Sequence, residues 1–167
     1  PFEIDKDDKR QQLVRNLAVK NKTAVAYVNL VGGQDDLVFD GDSLLVDATG
    51  KLIGRAKQFE SDVIFFDIDS KQDIQMIGEP RITKNDDREQ VWNALVLGLR
   101  DYVNKNRFPG VIIGLSGGVD SALVLAIAVD ALGADKVRAV MMPSRYTADI
   151  SWIDASELAK NLGVQYD

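Results

Sequence analysis

A short apolar run, Val111-Ile112-Ile113-Gly114-Leu115, leads directly into Ser116-Gly117-Gly118-Val119-Asp120-Ser121 and then into a greasy, proline-free stretch. No other feature restricts the fold as much. A brief continuous apolar run reads as a strand buried in a parallel sheet. The glycine pair marks a turn, and Val119 to about Leu132 reads as a helix. A second apolar run, Val137 to Met142, completes a β-α-β unit. A third helix is expected from Ser151 to Leu162, closing on Gly163, and Val164-Gln165-Tyr166 starts a further strand.

Ahead of this unit, Val91, Leu95, Leu99 and Val103 recur at helical spacing. Asp86 or Asp87 is placed to cap that helix, which should stop before Pro109. The first half of the chain has a different texture. The charged stretch Asp5-Lys6-Asp7-Asp8-Lys9-Arg10 leads into Leu13, Val14, Leu17 and Ala18, one face of an amphipathic helix. Runs of β-formers follow at Thr23 to Val31, Leu37 to Phe39, Ser43 to Val46 and Val63 to Ile68. Turn residues separate them, so this half is expected to be a β-meander. From Lys71 the chain becomes polar and irregular. The expected division is a first domain over 1–70, a linker over 71–85 and a second domain over 86–167.

The composition narrows the chemistry. The 167 residues include no Cys and no His. That excludes disulfides, a zinc site of the usual ligands and a Cys or His nucleophile within this chain. Carboxylates, hydroxyls, lysines, backbone amides or a hard metal must do any chemistry. The net charge of −6, with no Lys/Arg-rich run, argues against a nucleic-acid partner. No apolar stretch approaches the roughly 20 residues that cross a bilayer, so no membrane partner is expected. The chain starts at Pro1 without a charged-then-apolar leader and is expected to be a cytoplasmic piece of a longer protein.

Phosphate chemistry fits the glycine segment. It lies at a strand-to-helix junction, where unpaired amides and the helix dipole favour an anion. Gly117 and Gly118 let the backbone approach a phosphate without a Cβ between. The hydroxyls of Ser116 and Ser121 add donors, and Asp120 supplies an oxygen ligand for a hard cation. No Lys follows the glycines, so this is not the G-x-x-x-x-G-K-[ST] loop, nor is it G-x-G-x-x-G. The bland alternative is an ordinary glycine turn capped by Asp120 or Ser116.

The pattern S-G-G-x-D-S after an apolar strand resembles the pyrophosphate-binding loop of the ATP pyrophosphatases, which cleave ATP between the α and β phosphates to adenylate a substrate. Phe108-Pro109-Gly110 ahead of the strand, Met142-Pro143-Ser144-Arg145-Tyr146-Thr147 after the second strand, and Asp154-Ala155 with Leu158-Ala159 and Leu162-Gly163 resemble the opening of an NAD synthetase domain. The first half is similar to the end of a nitrilase-like glutaminase domain. Pro1-Phe2, Lys6, Asn29, Gly32-Gly33-Gln34-Asp35, Phe39-Asp40-Gly41 and Ser43 carry that likeness. This order is that of the glutamine-dependent NAD synthetase family.

The resemblance implies an α/β fold: the tail of a nitrilase-like α/β sandwich, then the first β-α-β units of a parallel-sheet ATP pyrophosphatase (adenine nucleotide alpha hydrolase-like) domain. It implies a ligase that adenylates the nicotinate carboxylate of deamido-NAD with ATP and amidates it with ammonia from glutamine. Carried over by position, Gly114, Leu115, Ser116, Gly117, Gly118, Val119, Asp120 and Ser121 bind ATP, Asp120 takes Mg²⁺, Met142 lies where the family places adenine, and Lys6 contacts glutamine. The family's glutaminase Cys has no counterpart here, so no catalytic residue is assigned. The 167 residues alone are expected neither to hydrolyse glutamine nor to make NAD, whereas the intact enzyme is expected to be a homo-oligomer.

Plainer readings stand beside these. Lys6 sits in a run of alternating charge, as a solvated helix-start residue would. Asp35-Asp36 reads as a solvated turn, Asp67 and Asp69 as surface residues of one strand face, and Trp92 and Trp152 as packing anchors. Another adenylating amidotransferase of the ATP pyrophosphatase type, or a non-catalytic ATP-binding fragment, remains as an alternative function.

Overall fold

The computed structural model describes residues 1–69, 73–143 and 146–167. Lys71 and Gln72 of the expected linker, and Ser144 and Arg145 of the Met142 to Thr147 segment, lie outside the described residues. The chain forms two compact units, Pro1–Ala94 and Leu95–Asp167.

The first unit opens on α1 (Lys6–Asn21), followed by β1 (Val25–Tyr27), β2 (Val31–Gln34), β3 (Leu37–Asp40), β4 (Leu44–Val46), β5 (Leu52–Arg55), β6 (Phe66–Ile68) and β7 (Ile74–Met76). It is not a meander. β1 pairs antiparallel with β4, which pairs with β5, while β2–β3 and β6–β7 form separate hairpins. The β2–β3 hairpin turns on Asp35 and Asp36, and Asp35 takes a positive φ of 52° that short Asp tolerates. Asp36 is exposed, and so are Asp67 and Asp69. Strands β5 and β7, and β2 from Gly32 onward, fall where the sequence suggested no strand, because runs of three or four residues carry little periodicity.

Only part of the expected apolar face of α1 is buried. Val14 and Ala18 pack with Leu44 and Val46 against Val25, Tyr27 and Leu52, but Leu13 and Leu17 remain exposed. Conversely, Asp7 and Arg10, which look solvated in the charged run, are buried. Both are held by ionic partners far along the chain. Helix α2 (Asp87–Lys105) begins in this unit, with Asp86 Oδ1 accepting from the Arg88 and Glu89 amides at 2.9 Å each. Asp86, not Asp87, therefore supplies the cap.

In the second unit, β8 (Val111–Gly114), α3 (Val119–Leu132), β9 (Val137–Val140), α4 (Asp149–Leu162) and β10 (Gln165–Tyr166) follow the end of α2. The sheet is parallel, in the order β10-β9-β8. Leu115, Leu125, Ala128, Val137, Ala139, Met141, Ala155, Ala159 and Val164 form its core. Burying a leucine such as Leu125 contributes roughly 2 kcal/mol. Gly163 ends α4 with a left-handed φ of 69°.

β8 departs from the expected two-sided burial. Val111 and Ile113 pack on the core, while Ile112 is 73% exposed. Side chains alternate between the two faces of a strand, and Ile112 lies on the face away from that core, as does its exposed partner Arg138 on the central strand β9. Trp152 is no packing anchor either: it is exposed on α4.

Candidate functional site

At the carboxyl end of β8 the chain passes through buried Leu115, whose amide donates to the Val140 carbonyl at 2.9 Å, and then turns into α3. The turn is built by its own serines. Ser121 Oγ accepts the Ser116 amide at 3.2 Å, lies 3.0 Å from Ser116 Oγ and donates to the Gly118 carbonyl at 2.9 Å. Ser116 Oγ also accepts the Gly118 amide at 3.3 Å. The first hydrogen bond of the helix runs from the Ala122 amide to the Gly118 carbonyl at 3.1 Å. The amides of Val119, Asp120 and Ser121 come before it, and a helix start offers such donors no acceptor of its own. Helix α3 has no side-chain cap.

The two glycines have different reasons. Gly117 takes a φ of +80°, and a Cβ there would come within 2.5 Å of the Ser151 carbonyl oxygen in the first turn of α4. Its close approach pins the loop to a second helix. Gly118 has a φ of −93°, which any residue adopts, and an added Cβ would meet only Ser116 Oγ at 3.4 Å. Packing does not require glycine at 118, whereas close approach of a ligand would.

Asp120 and Ser116 are exposed and Ser121 half-buried, so the polar groups of the loop are open to a ligand. Asp120 is a single carboxylate, and among the described residues no group of three or more acidic side chains could hold a metal. A cation here would need ligand phosphates to complete its shell, as Mg²⁺ sites commonly do. The donor set fits such an ion. Met142 is largely exposed, and its Cε lies 3.3 Å from where a Cβ on Gly114 would be, so strand end and Met142 lie side by side.

Lys6 is elsewhere, at the start of α1, with Nζ 2.7 Å from Glu3 Oε1. The Lys6 hydrogen bond and charge hold the Glu3 carboxyl below its ordinary range. The two residues edge a cavity of about 520 Å³ whose apolar wall includes Leu13, Leu17 and Tyr27.

Sequence reasoning missed a buried ionic cluster behind it. Arg10 donates to both oxygens of Asp40, which also accepts from Asn29 Nδ2 at 2.9 Å. Asp42 lies 3.2 Å from Arg55 Nε and 3.5 Å from Arg10 Nη1. Burial pushes the Asp42 carboxyl up to about 6 against the pull of Arg55 and Arg10. The only local signal is a charge inside an apolar context, as in Leu52-Ile53-Gly54-Arg55.

Comparison with known proteins finds two family matches, one in each half of the chain. Residues 91–167 match the model of the NAD synthase family, and residues 6–76 match the carbon-nitrogen hydrolase family. The chain is 44% identical to the glutamine-dependent NAD(+) synthetase of Acinetobacter baylyi over 99% of its length. It is 45% identical to that of Xylella fastidiosa over its full length. It spans only about 30% of the length of these relatives. Among solved structures, the glutamine-dependent NAD+ synthetase of Acinetobacter baumannii in complex with ADP superposes with a TM-score of 0.90 at 44% identity. That match covers 99% of this chain and 31% of the other.

Proposed function

We propose that this chain supplies the ATP-phosphate loop of a glutamine-dependent NAD synthetase and one edge of its glutaminase site. In this reading 1–70 end the glutaminase domain, 71–85 connect, and 86–167 begin the synthetase domain. The intact enzyme is a cytoplasmic homo-oligomer that binds deamido-NAD, ATP with Mg²⁺, and glutamine or ammonia. The carboxylate of deamido-NAD attacks the α-phosphorus of ATP, pyrophosphate leaves, and ammonia then displaces AMP to leave the amide.

The observation that carries the proposal is the loop at Ser116 to Ser121: a helix start with amides on offer, braced by two serines, with Gly117 pinned on Ser151. An ADP complex of a protein this similar supports assigning a nucleotide to it. The amides of Val119, Asp120 and Ser121 orient the phosphates, Ser116 and Ser121 add hydroxyls, and Gly118 leaves room for close approach. Mg²⁺ held through Asp120 would neutralise phosphate charge. Met142, beside Gly114, offers an apolar contact for adenine. Lys6 offers a cation to the carboxylate of glutamine.

Asp120→Ala in the full-length enzyme tests this. NAD formation should fall by about a hundredfold or more with either nitrogen donor, while glutamine hydrolysis stays detectable. Turnover near wild type with both donors would overturn the assignment.

A further inference from the structure

Helix α1 starts without the usual local support. Its Ncap residue, Asp5, sits at a left-handed φ of 64° and makes no side-chain cap hydrogen bond. An uncapped first turn frays. Here it is gripped from a distant part of the chain. Lys84 Nζ lies 2.8 Å from Asp7 Oδ2 and 2.9 Å from Asp8 Oδ1, the two residues immediately after Lys6. Asp7 is buried, and its other oxygen accepts the Asp8 amide at 2.8 Å. Burial works to raise the Asp7 carboxyl and to lower the Lys84 ammonium, but their hydrogen bonds prevail and shift both the other way, in favour of the charged pair. Lys84 is itself placed by neighbours: the Asn85 amide donates to Gln58 Oε1 at 2.8 Å, and Gln90 Nε2 to the Asn85 carbonyl at 2.9 Å.

We propose that Lys84 is a positioning residue for Lys6. By clamping Asp7 and Asp8 it fixes the first turn of α1, and with it the direction in which the Lys6 ammonium points. Lys84 lies beyond the carbon-nitrogen hydrolase match, seven residues before the NAD synthase match begins at residue 91. The glutamine edge of the hydrolase segment is therefore set in place by the connecting segment that leads into α2. The inference rests on Lys6 serving glutamine, as proposed above.

The test uses the full-length enzyme with Lys84→Met, which keeps most of the apolar stem, and Lys84→Arg, which keeps the charge. Lys84→Met should raise the KM for glutamine about tenfold while leaving the kcat of ammonia-driven NAD formation near wild type, and Lys84→Arg should recover most of the loss. An unchanged KM for glutamine in Lys84→Met overturns the proposal. So does equal loss with glutamine and ammonia, which is what mere support of the fold would produce. Failure of the functional reading shows itself separately, as absence of NAD formation from ammonia in the wild-type enzyme or an unaltered KM for glutamine in Lys6→Ala.

Discussion

Asp42 Oδ1 lies 3.2 Å from Arg55 Nε with both side chains buried, yet neither atom makes a hydrogen bond. Attraction at that distance does not offset the loss of water around a carboxylate. The carboxyl is accordingly pushed up to about 6 from an ordinary 3.8. Because the folded value lies above the unfolded one, the folded state binds the proton more tightly between about pH 4 and 6. Stability from this group therefore increases as pH falls from 7 through 6 and levels off near 4. The gain is at most about 3 kcal/mol. Asp7, Asp47 and Asp62, all held below their ordinary values, act in the opposite sense at the acid end of the range. Urea unfolding at pH 7.5, 6 and 5 should show the rise in the wild type and a flatter profile in Asp42→Asn; parallel profiles would refute it.

Arg10 meets Asp40 differently, with Nη2 3.0 and 2.8 Å from the two carboxylate oxygens and Nη1 3.3 Å from the Gly41 carbonyl. Removing one partner strands a buried charge, which costs about 3–5 kcal/mol. Arg10→Met should lower the urea midpoint sharply. Arg10→Met with Asp40→Asn should recover part of that loss, because no unpaired charge remains. A double variant as unstable as the sum of the singles would show that the two residues do not act as a pair.

These ion pairs explain which parts of the fold could be read in advance. Helix α3 shows in the sequence because its limits are local: Gly118 before Val119 and Gly133 after Leu132 bracket an apolar stretch. The Ser116 to Ser121 loop is legible for the same reason, since all its bracing hydrogen bonds span five residues or fewer. The pairing of β1 with β4 and the burial of Arg10 are not legible. Both depend on partners 17 to 30 residues away, and three-residue strands leave no periodicity by which to set a register. The approach of Gly117 to Ser151 is hidden likewise, because nothing local reveals what a loop will be packed against.

Gly117 and Gly118 should separate fold from binding. At Gly117 an alanine must adopt a φ near +80° with its methyl against the Ser151 backbone, at a cost of about 1–3 kcal/mol. At Gly118 the backbone suits alanine and the space is open, so stability should change by less than about 0.5 kcal/mol. The added methyl would instead obstruct phosphate approach. Gly117→Ala is thus expected to lose stability in urea melts, and Gly118→Ala to keep stability but lose ATP affinity by calorimetry. ATP binding unchanged in a folded Gly118→Ala would remove the phosphates from this loop.

Ser121 is the hub of the loop, joining the Ser116 amide, the Ser116 hydroxyl and the Gly118 carbonyl. Ser116 is exposed and Ser121 only half-buried, so water can replace these bonds once they break, and Ser121→Ala should destabilise the fold by only about 1 kcal/mol. Nucleotide binding has more to lose. The amides at the start of α3 serve an anion only while the turn before them keeps its shape, and a loop that must be ordered on binding gives up affinity to that ordering. The calorimetric Kd for ATP with Mg²⁺ should therefore rise about tenfold or more in Ser121→Ala, out of proportion to its small change in urea midpoint. Ser121→Thr, which retains the hydroxyl, should restore most of the affinity. Equal ATP affinity in wild type and Ser121→Ala would mean that the serine braces an idle turn.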